Sequence, residues 1–327
     1  MRNDILICRE YPGYRIVSLK DGLDFSDSCV LAVGNFDGVH AAHRELLKQA
    51  LSLKNKINAK TAGAWSFCQN PLEFLSESPP PYIYDTRKKT AELLRCGMDF
   101  VVLCDFKVFG NMSAEDFIKS HLKNQLRCTG VVCGFNFTFG RGGTGKPCTL
   151  QNSFGADNTV IVPEIKINGT TVSSTAIREM IMNGDTENAA LFLTRPYSLT
   201  SKVLTGKKLG RKLGFPTVNQ CFKEGCVVPR FGIYSSVCTL ENGEKHIGVS
   251  NIGVRPTITD GSDSHAVNCE TFIDNFNQDI YGQIIKTEFY SFLRSEKKFA
   301  DVEKLKEAIK NDAQNAKNYF IKKQISF

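Results

Sequence analysis

The chain has 327 residues, of which 42% are hydrophobic, 23% are charged and 11 are proline, with a formal net charge of +7. That length accommodates one large domain or two ordinary ones, and the composition excludes a disordered or fibrous chain. Residues 1–22 mix charges into each short apolar run, so neither a secretory leader nor a membrane span is expected, and the chain reads as cytoplasmic.

The first half alternates strand-like and helix-like segments. Cys29 to Phe36 reads as a buried strand, Ala41 to Ile57 as an amphipathic helix and Thr61 to Phe67 as a second strand. Pro79, Pro80 and Pro81 mark a surface loop. Arg87 to Arg95 reads as a helix closed by Gly97, Phe100 to Cys104 as a strand, and Ser113 to Leu126 as a helix capped by Ser113. A further strand begins at Val131 to Cys133. This alternation predicts a parallel sheet covered by helices. Ser174 to Asn183 reads as another helix, and a join is expected near Thr194, Arg195 and Pro196. Beyond about residue 195, short β-rich segments (Gly232 to Leu240, Lys245 to Ile252, Ala266 to Ile273) are separated by Gly, Asn and Asp turns. That texture predicts an antiparallel sheet or barrel. Val302 to Lys323 reads as a helix with a solvated, lysine-bearing face.

Twelve cysteines are spread from Cys8 to Cys269, mostly in apolar runs and without CxxC spacing, so they read as reduced core thiols and structural zinc is not expected. The positive charge suits anionic small molecules. Without a concentrated basic stretch carrying interleaved aromatics, nucleic acid is not an expected partner, although a basic nucleic-acid-binding protein using the fold for recognition alone stands as a rival of another class.

Two stretches carry the chemistry of the first half. In GNFDGVHAAH, Gly34 to His43, a strand end, a glycine turn and a helix start come together. Free backbone N–H groups and the positive helix end favour an anion there, and His40 and His43, three apart, project to one side of the first turn. Capping or surface histidines account for the spacing equally well, while a zinc site would need HExxH and a third ligand. In Gly140 to Pro147, GRGGTGKP, a P-loop is nearly spelled, but Pro147 stands where the magnesium-holding hydroxyl belongs and Cys148 to Ser153 does not read as a strong helix. That segment reads as a flexible glycine-rich loop.

The order of motifs along the chain resembles the bacterial bifunctional riboflavin kinase/FAD synthetase family. Gly34 to His43 is similar to its HxGH-type nucleotidyltransferase signature, Gly134 to Gly140 (GFNFTFG) to its G-x-[DN]-F-x-F-G segment, and Val172 to Arg178 (VSSTAIR) to its S-S-T-x-I-R segment. Arg195-Pro196-Tyr197 resembles the join between its domains. Gly210 to Asn219 (GRKLGFPTVN), Asn251 to Thr257, Asp279 to Gly282 and Leu293 to Phe299 resemble its kinase half in order.

The resemblance implies two domains. An N-terminal α/β Rossmann-like nucleotidyltransferase, residues 1–190, would adenylylate FMN, and a C-terminal antiparallel β-barrel of riboflavin kinase type with a C-terminal helix, residues 191–327, would phosphorylate riboflavin. ATP would be the co-substrate and Mg²⁺ the cofactor of both steps, with riboflavin, FMN, FAD, ADP and pyrophosphate as the other small-molecule partners. In the first domain Gly34, Phe36, Asp37, His40, His43 and Asn136 would bind ATP, with Ser173, Ser174, Thr175 and Arg178 as a second anion cradle. An ordinary N-cap with Glu179 nearby explains those three hydroxyls as well.

In the second domain a base is needed because the ribityl hydroxyl must lose a proton, whereas the FMN phosphate is already ionised. By resemblance that base is Glu270, which alternation places opposite Val267, Cys269 and Ile273; a solvated strand glutamate is the plain alternative. Thr217 and Asn219 would hold Mg²⁺ and ATP, with Gly206, Gly210, Gly214 and Pro216 lining the phosphates, although a proline turn with polar flanks explains the same residues. Arg294 and Glu296 would belong to a flap over the flavin or form a surface ion pair. Two departures, Ala42 where the family has glycine and Asn70 where histidine is usual, motivate an alternative: riboflavin kinase only, with a degenerate adenylyltransferase domain.

Overall fold

The computed structural model describes residues 7–18, 27–205, 217–254, 267–273, 276 and 278–325. The chain divides into two compact units, Arg2–Ser174 and Thr175–Phe327.

In the first unit, β1 (Ile7–Tyr11) and β2 (Tyr14–Ser18) form a hairpin, followed by β3 (Cys29–Val33), α1 (Ala41–Lys56), β4 (Thr61–Phe67), α2 (Leu72–Leu75), α3 (Thr86–Arg95), β5 (Phe100–Cys104) and α4 (Phe106–Phe109). The single turn α5 (Ala114–Asp116) runs into a π-helical segment, Phe117–Gln125. After these come β6 (Cys128–Gly134), α6 (Pro147–Phe154), β7 (Thr159–Val162), and the short pair β8 (Lys166–Ile167) and β9 (Thr170–Thr171). Seven strands make one sheet in the order β1-β2-β5-β4-β3-β6-β7. From β5 to β7 all pairings are parallel, so the central strands are apolar on both faces: every residue of β3 and β5 is buried. The alternation of elements thus predicted the parallel part correctly. The antiparallel hairpin on its edge does not follow from that alternation: β1, with Arg9 and Glu10, pairs on one side only, with β2, which in turn pairs with β5.

Helices cover both faces. Leu46, Leu47, Ala50 and Leu53 of α1, with Leu93 and Leu94 of α3, pack on Val30, Ala32, Val101 and Leu103. On the other face Ile118, Leu122 and Leu150 pack on Leu31, Val33, Val102 and Val131. The spacing of Ser113 to Leu126 predicted a regular helix with Ser113 as cap. Ser113 does cap it, accepting from the Asp116 N–H at 3.0 Å, but the backbone then widens to i→i+5 bonds such as Leu126 N–H to His121 O at 3.0 Å. Against expectation, residues 148–153 are helical. Proline at the first position of α6 fits a helix start, the Thr149 hydroxyl accepts from the Lys146 N–H, and burial of Leu150 and Phe154 on the sheet supplies what local propensity lacks.

In the second unit α7 (Ser174–Met182) and α8 (Thr186–Leu193) precede β10 (Tyr197–Lys202), β11 (Thr217–Cys221), β12 (Gly232–Thr239), β13 (Lys245–Val254), β14 (Val267–Ile273), β15 (Ile284–Arg294) and α9 (Val302–Lys322). Helix α8 was not read from sequence. The six strands are antiparallel in the order β10-β15-β12-β13-β14-β11. The two ends return to each other: the Leu204 N–H donates to Asn219 O at 2.8 Å, and Gln220 Nε2 reaches Ser201 O and Ile285 O at 3.1 Å each. This is the expected barrel, closed by a buried amide. One face of its strands turns inward with Val218, Cys238, Ile273 and Ile285, while the other receives α9 through Ile233, Val249 and Ala316. Arg294 at the end of β15 holds α9 with two bonds to Asp312, Nε to Oδ1 at 3.0 Å and Nη2 to Oδ2 at 2.6 Å.

A polar group lies inside the first core. His121 is fully buried, accepts from Trp65 Nε1 at 2.9 Å on Nε2 and contacts Gln125 Oε1 at 2.7 Å through Nδ1. Both bonds suit the neutral ring, and burial pulls its pKa from 6.5 down to about 4. The unfolded chain therefore binds one proton more than the folded one between those values. The neutral ring's contribution is complete above pH 6.5 and disappears as pH falls through about 4, a loss of about 3 kcal/mol. Urea titrations followed by the chain's single tryptophan, Trp65, are expected to show this acid loss in the wild type and its disappearance in His121→Phe. Parallel pH curves for the two proteins contradict it.

Candidate active sites

Strand order in the first unit reverses at β3: β4 and β5 lie on one side of it, β6 and β7 on the other. Ligands of open α/β sheets bind outside the carboxyl ends of the strands at such a switch point. The turn after β3 is Gly34 to His40 and the turn after β6 is Phe135 to Gly140, so the two motifs that stand a hundred residues apart in sequence leave from neighbouring strands.

The first turn is tightly built. Phe36 (φ 55°) and Val39 (φ 42°), both fully buried, adopt the left-handed region along with Gly38 (φ 81°), an uncommon conformation for an aromatic and a β-branched residue. Asp37 is 5% exposed and its carboxylate accepts from the Ile83 N–H at 2.9 and 3.2 Å and the Tyr84 N–H at 3.1 Å. Its side chain therefore anchors the segment that follows the Pro79–Pro81 loop. The Ser174 hydroxyl donates to the Asp37 carbonyl at 2.9 Å, which brings Ser174 to the same turn from 137 residues away.

His40 is 4% exposed and caps α1, with Nδ1 accepting the His43 N–H at 3.3 Å, so the neutral ring carries its proton on Nε2. The two imidazoles stack at 3.6 Å between centroids, and His43 leans on Phe36. Capping and a directed Nε2–H thus occur in one residue. Gly34 sits against the Phe36 ring, where a Cβ would lie 3.3 Å from it. Asn136 is exposed in the second turn, its Oδ1 beside Gly134. Ser173 precedes α7, while Thr175 and Arg178 lie on it within the second unit, with Arg178 buried.

Sequence reading missed Lys89. It lies in the helix read from Arg87 to Arg95, is 4% exposed and donates to Phe67 O at 2.7 Å, Ser66 Oγ at 3.1 Å and Asn35 O at 3.3 Å. Burial draws its pKa down to about 8, against the opposing pull of Asp37. A cation tied to the carbonyls at the ends of β3 and β4 supports the turn from below.

In the second unit Glu270 lies where alternation put it, opposite Cys269 and Ile273, which are buried at 0% and 1%. Strand pairing then brings it partners the sequence did not identify as such: Asn219 of β11 is directly across on one side and Asn251 of β13 on the other. Asn219 is 5% exposed, and Asn251 Oδ1 is buried with no hydrogen-bond partner among the described residues. Thr217 lies on the same face as Asn219, two residues before it. The exposed Glu296 folds onto Gly253, where a Cβ would meet its Oε1 at 2.6 Å. Arg294 is taken up by Asp312 as described. Gly206, Gly210, Gly214 and Pro216 lie outside the described residues, as do Arg255, Pro256 and Thr257.

Comparison with known proteins defines the class. Residues 24–176 match the FAD synthetase family and residues 193–320 the riboflavin kinase family, so both domains of a flavin-nucleotide transferase stand in one chain. The bifunctional riboflavin kinase/FMN adenylyltransferase of Bacillus subtilis is 32% identical over 295 residues, 89% of this chain and 92% of that protein. The Escherichia coli protein of the same name is 33% identical over 300 residues, covering 90% and 93%. A crystal structure of a macrolide-efflux protein from Streptococcus pneumoniae superposes with a TM-score of 0.82 at 26% identity over 91% of this chain and 96% of that one. The chain belongs to the bacterial bifunctional riboflavin kinase/FMN adenylyltransferase family. Among the described residues no helix is long and apolar enough to cross a membrane.

The role of Asp37 as an anchor is testable. Asp37→Ala leaves two buried N–H groups without their charged acceptor, a cost of about 2–4 kcal/mol. Limited proteolysis is expected to speed up in the segment around Pro79–Tyr82, and FAD formation to fall while FMN formation persists; an unchanged cleavage pattern refutes the anchor.

Proposed function

We infer that this chain makes both flavin nucleotides in succession: it transfers the γ-phosphoryl group of ATP to riboflavin, giving FMN and ADP, and then AMP from a second ATP to FMN, giving FAD and pyrophosphate. The observation that carries the reading is the presence of both family domains along one chain, each with its own polar constellation. The kinase-only alternative gives way to it, since the relatives that match across about nine-tenths of the chain bear the bifunctional name. Ala42 occupies the second residue of α1, where alanine favours the helix over glycine by about 1 kcal/mol.

In the adenylyltransferase half, assigned to residues 1–190, the Nε2–H of His40 and the ring of His43 donate to the phosphates of ATP and stabilise the charge that develops as pyrophosphate leaves. Gly34, Phe36 and Asp37 shape the turn, Asn136 contacts the adenosine, and Ser173, Ser174, Thr175 and Arg178 supply hydroxyls and a cation for a second phosphate. The FMN phosphate, already ionised, attacks the α-phosphorus without a base. In the kinase half, residues 191–327, Glu270 accepts the proton of the ribityl hydroxyl as that oxygen bonds to the γ-phosphorus. Thr217 and Asn219 face ATP, and Glu296 belongs to a flap over the flavin.

The donors around Glu270 fit Mg²⁺. They are hard oxygens, one of them the orphaned Asn251 Oδ1, and a magnesium ion with few protein ligands and several phosphate oxygens suits such a set. Thr217 and Asn219 would hold it, and it would neutralise phosphate charge. A cytoplasmic location accords with the use of ATP and with twelve cysteines, none of them cross-linked.

Purified protein given riboflavin, ATP and Mg²⁺ is expected to yield FMN and then FAD. Glu270→Gln is expected to abolish FMN formation and spare FAD formation from supplied FMN, and His40→Ala to do the reverse, each by roughly a hundredfold or more. Equal loss of both activities in either variant overturns the two-site assignment.

A further inference from the structure

One side chain of β14 has a defined place in the barrel and no role so far. Asn268 stands two residues before Glu270 on the same face and is 5% exposed. Asparagine is disfavoured in strands, so a buried one at mid-sheet requires a compensating interaction. Its Nδ2 lies 3.1 Å from Glu270 Oε1 and 3.3 Å from Asn219 Oδ1. The orientation of the amide follows from the partners. An ionised carboxylate only accepts, so the group facing Glu270 is the NH₂, and its second hydrogen points to the Asn219 carbonyl oxygen. Asn219 is itself turned by donation from its Nδ2 to Thr217 O at 3.4 Å. At the other end of Asn268 the Cys221 thiol approaches Oδ1 at 3.8 Å.

Backbone pairing makes this geometry rigid. Asn268 is directly opposite Cys221 on β11 and Gly253 on β13, in the register that sets Glu270 opposite Asn219 and Asn251. A strand glutamate with no partner samples several rotamers, and a buried amide two residues away selects one. One NH₂ group therefore couples two side chains from different strands, and both already carry assignments in phosphoryl transfer.

We propose that Asn268 is a positioning residue of the kinase site, holding the Glu270 carboxylate and the Asn219 amide oxygen in fixed relation so that proton removal from riboflavin and contact with the ATP phosphates occur in one geometry. The proposal rests on the reading of Glu270 as base. Asn268 touches neither substrate. The ribityl O–H proton passes to Glu270, the O–Pγ bond forms, the bond from Pγ to the bridging oxygen of ADP breaks, and Asn268 keeps both donated bonds throughout.

Asn268→Leu conserves volume and deletes the donor. Its kcat for FMN formation is expected to fall roughly ten- to a hundredfold with the KM for riboflavin changed less than about twofold, as for a misplaced catalytic group. Riboflavin binding, read by quenching of flavin fluorescence, is expected to persist, while the rise in melting temperature on adding Mg²⁺ with ADP shrinks. In the Glu270→Gln background, adding Asn268→Leu is expected to slow the residual rate by less than about threefold, because the two residues act in series. Asn268→Asp, isosteric and unable to donate, reports in place of the leucine variant should that one not fold, and is expected to lose FMN formation while still binding riboflavin. Wild-type kcat in both Asn268 variants overturns the proposal, as does a rate loss that comes with lost riboflavin binding or that adds fully to Glu270→Gln. If Glu270→Gln alone retains wild-type FMN formation, it is the base assignment that fails, and the two results are told apart by that single variant.

Discussion

Backbone hydrogen bonding between neighbouring strands decides which side chains of this chain meet. In the first unit, parallel pairing of β3 with β6 places two glycine-bearing turns at adjacent strand ends, at the point where strand order reverses. In the second unit, the antiparallel register of β11, β14 and β13 sets Asn219, Glu270 and Asn251 in one row. A slip of one residue in that register would turn the row to the other face of the sheet. The chemistry of each half therefore depends on sheet geometry before it depends on any one side chain.

The nucleotidyltransferase turn shows what that placement costs and how the cost is met. Three left-handed residues in four positions hold the backbone in a sparsely populated conformation. Asp37 grips two amides of a distant segment, Lys89 ties three acceptors beneath, and Ser174 closes from the start of α7. Asp37 and Lys89 are buried and charge-assisted, and the half-buried Ser174 is tied to backbone, so the turn is held in one conformation.

The barrel uses a different solution. Its interior carries a ladder of buried polar groups: Ser250 with Ser236 and Thr271, and Thr287 with Gln220, which closes the first and last strands together. These groups satisfy one another and specify a single pairing. On the opposite face, the amide side chains of Asn219, Asn251 and Asn268 lie around the Glu270 carboxylate, and α9 packs on apolar residues of that face.

Much of this was legible in the sequence. Apolar runs and their period marked β4, β5, α1, α3, α7 and α9 to within a residue or two, and the order of motifs announced two domains, because burial periodicity and turn chemistry are local properties. The roles of Asp37, Lys89, His121 and Asn268 were not legible, since each depends on a partner 46, 22, 56 or 49 residues away along the chain. Helix α6 and the π-helical turn were misread for the same reason: the sheet beneath them, and not their own residues, stabilises them. Sequence alone thus determined the strongly periodic elements, the family resemblance and the residue types available for catalysis. Tertiary structure alone decided which of those residues share a hydrogen bond, because strand register and the burial of charge join groups that local propensity cannot relate.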